Sequence, residues 1–424
     1  MEFKRSKSNK AFSIIERFIF FVFLLIQYNF FLLYYVPKVA GGINSRLLFI
    51  AIPLILVMLM NGIKIKNYKF ASLILTLLFM VFISAIWSCI QYFENTIDIL
   101  TSVIPWISLL MYFPLSDFIR REKKFFLRLL TIMNIICCLV FIYQSIRFQE
   151  SSFFLNDNYF ISESGYFYIP LRGNSIRILM NWQIIIASLL ISISELLKRR
   201  SLKVISLDFI NFISGTICIF SVIQTRTLLI IYIISLLFAT LLVIKKNIKM
   251  RTIIIIMATI LCVFVTYFFS GLSKWVSSFF STFSDSEYAS SNSIREGAVL
   301  HFLDIIKTNP FLGNGFYLGN PGTTSYLRAK GLLGLYYYSD LGMIGNLAQY
   351  GILALISFLI YLKKSLSVIR SSKKTYISIF IIFYSISFLT TLSWIYYLSI
   401  LPFIITLSYI DSEINYGDDI EYEH

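Results

Sequence analysis

The sequence predicts an all-α membrane protein, a polytopic helical bundle of about 12 transmembrane helices with its N- and C-termini in the cytoplasm. Three observations carry this reading. Hydrophobic residues make up 58% of the 424 positions and charged residues only 14%, where an ordinary soluble domain carries about 25% charged residues. The mean hydropathy is +0.77. The apolar residues fall in continuous runs separated by short basic clusters, which excludes the alternating pattern of a β-barrel. Disorder is excluded as well, because aromatic residues reach 17%.

A helical span needs about 20 apolar residues. Twelve runs meet or approach that length: 18–36, 47–62, 70–91, 97–116, 125–146, 177–196, 204–223, 227–244, 252–270, 341–362, 375–392 and 394–410. The basic segment Lys4, Arg5, Lys7 and Lys10 looks like a signal n-region, but no small-residue cleavage site follows Tyr35, so the first run reads as an uncleaved span.

Alternate loops hold most of the 37 basic residues. They are the N-terminus; Lys64, Lys66 and Lys69; Arg120 to Arg128; Lys198 to Lys203; Lys245 to Arg251; and Lys363 to Lys374. The positive-inside rule places this set in the cytoplasm. Residues 1–424 then read as one integral membrane domain. Residues 271–340 form a large extracytoplasmic loop with an amphipathic helix, 147–176 a shorter outer segment, and 411–424 an acidic, solvated cytoplasmic tail.

The net charge of +15 points to membrane lipid or a phosphate at the membrane face rather than to nucleic acid, because the basic residues sit between apolar runs. Cys89, Cys137, Cys138, Cys218 and Cys262 all lie in apolar runs without metal-ligand spacing. The only histidines are His301 and His424. Neither a metal nor any other cofactor is expected.

Chemistry is therefore sought on the outer side. Gln224-Thr225-Arg226-Thr227 is a tight turn that sets Arg226 at the start of a span. A guanidinium beside a helix N-terminus suits an anion, and a snorkelling interfacial arginine is the plainer alternative. Ser293-Ile294-Arg295-Glu296 reads as a capping box, opening an amphipathic helix over 293–308 with Ile294, Ala298, Phe302, Ile305 and Ile306 on its apolar face. Arg295 falls in the first turn, where a cation opposes the helix dipole unless an anion is near. The loop Pro310-Phe311-Leu312-Gly313-Asn314-Gly315-Phe316-Tyr317-Leu318-Gly319-Asn320-Pro321-Gly322 either cradles phosphate with its amides or is a plain turn. Arg328 and Lys330 follow, and read as solvated cations. Tyr336, Tyr337 and Tyr338 form an interfacial belt or stack on sugar rings. Asp340 either caps span ten or serves as a base for a hydroxyl. His301 reads as structural, Arg147, Arg172 and Arg177 as flanking cations of the shorter outer segment, and Asn134, Asn181, Gln183 and Asn211 as hydrogen-bonding links between spans.

The order of Thr225-Arg226-Thr227, Arg295 with Asn309-Pro310-Phe311-Leu312-Gly313-Asn314-Gly315, and Asp340 with Gln349-Tyr350-Gly351-Ile352-Leu353 resembles the O-antigen ligase and Wzy-type O-antigen or capsular polysaccharide polymerase family. These motifs cover the second half of the chain. The resemblance implies about 10–12 spans, a large outer loop, and transfer of an undecaprenyl-pyrophosphate-linked oligosaccharide to an acceptor hydroxyl, with a chain-length regulator and a flippase as further partners. It implies catalytic roles for Asp340, Arg226 and Arg295, beside which the residues themselves offer Arg172, Arg177, Arg328, Tyr337 and Tyr338 as candidates for substrate binding. Ligases of the family carry a histidine where Asp340 stands, and this departure favours a polymerase. The rival reading is a lipid-linked oligosaccharide flippase or other multi-span transporter, against which stand the few mid-span charges. Single-sugar polyprenyl-phosphate transferases usually carry acidic metal-binding residues in the first outer loop, and residues 37–46 hold none.

Overall fold

Runs of Leu, Ile and Phe without proline or glycine leave the backbone no partner but itself, and in an apolar medium only a helix satisfies every amide. The computed structural model describes residues 8–28, 31, 68–93, 97, 99, 103–147, 182–198, 206–223, 226–244, 289–317, 323–331, 334–372, 374–390 and 399–418. Its α-helices are α1 (Ser8–Gln27), α2 (Ala71–Tyr92), α3 (Tyr112–Arg147), α4 (Trp182–Lys198), α5 (Leu207–Cys218), α6 (Arg226–Ile244), α7 (Ala289–Thr308), α8 (Thr324–Lys330), α9 (Gly342–Tyr350), α10 (Ile352–Ser372), α11 (Ser378–Leu389) and α12 (Ile400–Asp418). There is no strand among the described residues.

Among the described residues, three stretches are long and apolar enough to cross a membrane: Ala71–Tyr92, Ile104–Ser145 and Ile352–Arg370. Shorter apolar helices run over Leu207–Ile223, Thr227–Ala239 and Thr375–Leu389. The runs expected at 47–62 and 252–270 lie outside the described residues. Ile104–Ser145 bends at Glu122, whose backbone (φ −120°, ψ 36°) is not helical. Phe20 touches both limbs, its ring 4.9 Å from Phe118 and 5.4 Å from Phe126. A straight helix would hold those two residues about 12 Å apart. The two limbs correspond to the runs expected at 97–116 and 125–146.

The centre of the bundle is α4. Every residue from Ile184 to Leu197 is buried, as befits a helix that is apolar all round. Its serines join the neighbouring helices through amides. Asn134 Nδ2 donates to Asn211 Oδ1 (2.7 Å), Asn211 Nδ2 donates to Ser192 Oγ (2.8 Å) and Ser188 Oγ (3.1 Å), and Tyr28 donates to Asn134 Oδ1 (3.1 Å). Asn134 and Asn211 thus link helices, as expected.

The basic loop segments among the described residues, with Lys69, Arg120, Lys123, Lys198 and Lys374, meet at one end of the bundle, and Asp411 and Glu413 there are not a free tail. The expected solvated tail over 411–424 is corrected in its first part: α12 continues to Asp418, Asp411 and Glu413 are buried, and residues 419–424 lie outside the described residues. Asp411 accepts from Arg120 Nη2 (2.7 Å), the Tyr112 hydroxyl (3.0 Å) and the Lys69 amide (3.3 Å). Glu413 pairs with Lys123, with Lys198 at 3.1 Å, and accepts from the Tyr376 hydroxyl at 2.7 Å. Lys374 donates to its carbonyl. Arg121 and Glu16, and Arg17 and Glu122, pair α1 to the bend of α3. A buried carboxylate survives only when paired and hydrogen-bonded, and four basic-loop segments, through Lys69, Arg120 to Lys123, Lys198 and Lys374, supply the partners.

Three further expectations are corrected. The helix over 293–308 begins at Ala289, so Ser293 lies within it and no capping box forms at that residue. Helix α12, Ile400–Asp418, runs on past the end expected for the last span at 410, while residues 394–398 of that run lie outside the described residues. Span ten is not continuous: α9 ends at Tyr350 and α10 starts at Ile352, with Gly351 between them at φ 60°, ψ −150°.

Candidate functional site

The site is built at the end of the bundle opposite the Glu413 cluster, from α7, the loop after it, α8 and the approach to α9. Helix α7 buries Ala298, Phe302 and Ile305 and leaves Arg295 and Glu296 in solvent. Phe302 stacks on Tyr338, with ring centroids 4.8 Å apart. The Tyr336 hydroxyl comes so close to Gly297 that a Cβ there would lie 2.7 Å from it.

The loop that follows α7 closes the break in span ten. The four last carbonyls of a helix lack partners within it. Here Gly351 donates to Leu347 O (2.8 Å), Asn314 to Ala348 O (2.7 Å) and Gly315 to Gln349 O (2.7 Å), while Ile352 donates to Pro310 O (3.0 Å). From α2, Trp87 Nε1 donates to Gly313 O (3.0 Å), the Tyr92 hydroxyl bonds Asn314, and Ser88 Oγ accepts from the Phe316 amide (2.7 Å). The amides of Gly313 to Phe316 are therefore all engaged within the protein. At Gly313 to Phe316 the phosphate-cradle reading is corrected in favour of the turn, and residues 318–322 of the expected loop lie outside the described residues.

Asp340 sits in a single 3-10 turn, Tyr338–Leu341, and the residue flanking α9 is Leu341, with no side-chain cap. The N-cap reading of Asp340 is thus corrected. Its carboxyl reaches solvent at one edge, and the Ser339 hydroxyl donates to Oδ1 at 3.3 Å. Enclosure by protein raises its pKa above the usual carboxylate range, opposed by the Ser339 hydroxyl and by the charges of Arg295 and Lys330. Arg295 and Asp340 are thereby brought into electrostatic reach of each other.

Lys330 is a residue that the sequence reading passed over as solvated. It is 6% exposed. Its Nζ lies 2.9 Å from the centroid of the Tyr337 ring and 5.6 Å from that of Tyr317, a cation–π cage. Burial pushes its amine down to about 8, and the Asp340 carboxylate works against that. The Lys330 carbonyl holds the turn by accepting from the Tyr336 amide (3.0 Å), and the Tyr336 ring lies over Gly331, whose φ is +68°. Nothing local in the sequence separates Lys330 from Arg328, two residues earlier and exposed.

The remaining expected site residues divide. Tyr337 is 49% exposed and offers a ring face to the outside. Tyr338 is 7% exposed, is packed on Phe302, and accepts from Asn314 Nδ2 at 2.9 Å. Its assignment to sugar stacking is corrected, because its ring already fills the core beneath α7. Arg328 has an exposed side chain, and its carbonyl accepts from His301 Nε2 at 2.7 Å, so His301 is structural. Arg226 opens α6 as expected, directly after the helical stretch that ends in a π turn at Ile219–Ile223. The Arg226 side chain, Arg172 and Arg177 lie outside what the structure describes. Among the described residues no group of three or more His, Cys, Asp or Glu could hold a metal ion.

Comparison with protein-family models and with curated proteins finds no match.

Proposed function

We propose that the chain is a multi-pass membrane glycosyltransferase, a polysaccharide polymerase that moves a polyprenyl-pyrophosphate-linked glycan onto an acceptor sugar hydroxyl at the outer face of a bacterial cytoplasmic membrane. The observation that carries this reading is the grouping of Arg295, Asp340, Lys330 and the half-exposed Tyr337 at the end of the bundle away from the basic loops. That combination offers a cation for pyrophosphate, groups that accept a proton, and an aromatic face for a sugar.

In the reaction, the acceptor oxygen bonds to the anomeric carbon of the lipid-linked glycan. The bond from that carbon to the pyrophosphate oxygen breaks, and the polyprenyl pyrophosphate leaves with the electron pair. Arg295 and Arg226 offset the charge that grows on it, a role in which fixed cations are most effective. The hydroxyl proton passes to a basic group at the same mouth, where Asp340 and Lys330 sit. Cleavage of the pyrophosphate link supplies the driving force.

The break at Gly351 bears on the transporter reading, since transporters use broken helices to hold their cargo. Here the open carbonyls of α9 are taken by Asn314 and Gly315. That use supports a fixed scaffold under an enzyme site over a cargo site at the break. The test is the glycan profile of a strain lacking the gene. Lost polymerisation leaves single repeat units, whereas build-up of lipid-linked repeat on the cytoplasmic side would indicate a flippase and overturn the proposal.

A further inference from the structure

We propose that Lys330 is the proton acceptor for the acceptor hydroxyl, with Tyr337 as the cover of its amine and Asp340 as the anion that steadies the ammonium formed. This rests on the transferase reading above and names which group performs its proton step.

The geometry is specific. Lys330 ends α8, and the turn that follows, with Gly331 and Gly334 both at positive φ, brings Tyr337 back over the Lys330 side chain. The ammonium has no carboxylate in direct contact among the described ion pairs. Its close partners are ring faces, Tyr337 at 2.9 Å and Tyr317 at 5.6 Å. A merely structural lysine in a membrane protein turns its amine to water or to a carboxylate. Lys330 instead holds its amine under a half-exposed tyrosine, at the mouth where Arg295 and Asp340 meet. A change in the Tyr337 rotamer uncovers the amine, and a sugar lying against that ring presents its hydroxyls there.

The charge environment suits the role. Arg295, Glu296 and His301 come from α7, Tyr317 from the loop, Arg328 from α8 itself, and Tyr337 and Asp340 from the approach to α9. Of these, Asp340 is the charged neighbour that raises the Lys330 amine, and burial outweighs it, leaving the amine at about 8. About a tenth of such an amine is neutral at pH 7, whereas an ordinary lysine, near 10.4, has almost none. A base poised near the working pH is the efficient one. In the step itself, the lone pair of neutral Nζ takes the hydroxyl proton as the oxygen–carbon bond forms, and the ammonium is left beside Asp340.

The test uses the full chain in proteoliposomes, with lipid-linked oligosaccharide extracted from the deletion strain as substrate. The native protein is expected to show kcat/KM falling toward acid pH with an apparent pKa near 8. Lys330→Arg keeps a cation that cannot deprotonate. It should lower turnover by about 10²–10⁴-fold while lipid-linked substrate still binds and the melting temperature holds. Lys330→Cys alkylated with bromoethylamine restores an amine, one more acidic than lysine. It should recover turnover with the acid limb displaced to lower pH. Native-like turnover of the arginine variant, failure of aminoethylation to rescue, or an acid limb unmoved by it would each overturn the assignment to Lys330 and leave the transferase reading standing. A native protein that makes no polymer at any pH would overturn that reading, and the inference with it.

Discussion

The amide of Asn314 donates to the carbonyl of Ala348 at 2.7 Å, and its neighbour Gly315 donates to Gln349 at the same distance. Two segments that stand far apart in the chain, the Asn-Pro-x-x-Gly-x-Gly loop and the Tyr-Gly-Ile-Leu step, are thus one structural unit. The loop caps the broken helix, and the break makes room for the loop.

Gly351 is the sharpest test of that unit. Its φ of 60° with ψ of −150° belongs to a region that essentially only glycine enters. A Cβ there would also strike the Phe311 backbone. Gly351→Ala should cost at least about 1–3 kcal/mol of stability, read as a lowered melting temperature in detergent. Gly351 standing at a simple helix C-cap, open to solvent, would instead give a loss too small to see.

At the other end, Glu413→Gln leaves Lys123 and Lys198 without their shared anion. Breaking a buried ion pair from one side costs about 3–5 kcal/mol. Burial pushes the Glu413 carboxyl up, and the two lysines more than reverse this, holding it down to about 2. A depressed carboxylate stabilises the fold above its unfolded pKa, near 4.3, and that stability is lost as pH falls from there through about 2. Thermal melts at neutral pH and across the acid range check both statements, and equal melting temperatures for native protein and the glutamine variant at pH 7 would refute them.

Asp340→Asn separates the two proton acceptors. Asp340 is the charge that raises Lys330, so its removal lowers the lysine pKa below about 8. The acid limb of the kcat/KM profile should then move to lower pH, with turnover retained in part. An Asp340 base would behave differently, losing about 10²–10⁴-fold at every pH. Because Asp340 does not cap α9, no loss of helix stability is expected from either change.

Arg226 and Arg295 are expected to act together on pyrophosphate. Alanine at either position should lower kcat by about 10²–10³-fold, with the protein still in the membrane. Lysine should restore little, because it lacks the bidentate fork. Polymer of native length made by both alanine variants would remove the arginines from the mechanism.

Sidedness is checked with single cysteines at Thr308 and Ser367, both exposed. An impermeant maleimide should label the first in intact cells and leave the second unlabelled until the membrane is opened. The reverse pattern would put the Lys330 site in the cytoplasm.

Much of the helical frame was legible because its causes are local. Continuous apolar runs at 70–91 and 227–244 gave helices within a residue of Ala71–Tyr92 and Arg226–Ile244. Hydropathy was blind to the break at Gly351, since the flanking residues are as apolar as any span. The acidic stretch after Tyr409 read as solvated because charge alone says so. The basic residues that bury Asp411 and Glu413 stand up to 342 positions away.

By itself the sequence determined an all-helical, membrane-suited chain with its basic loops in alternation, because hydropathy and helix formation act over a turn or a span. Only the tertiary structure decided that Tyr338 is core while Tyr337 faces out, that the glycine loop spends its amides on α9, and that Lys330 rather than Arg328 is buried beneath a ring. Those outcomes depend on which side chains meet from segments such as Trp87 and Gly313, 226 residues apart. Desolvation and hydrogen-bond partnership at such meetings, not residue type, set what each group can do.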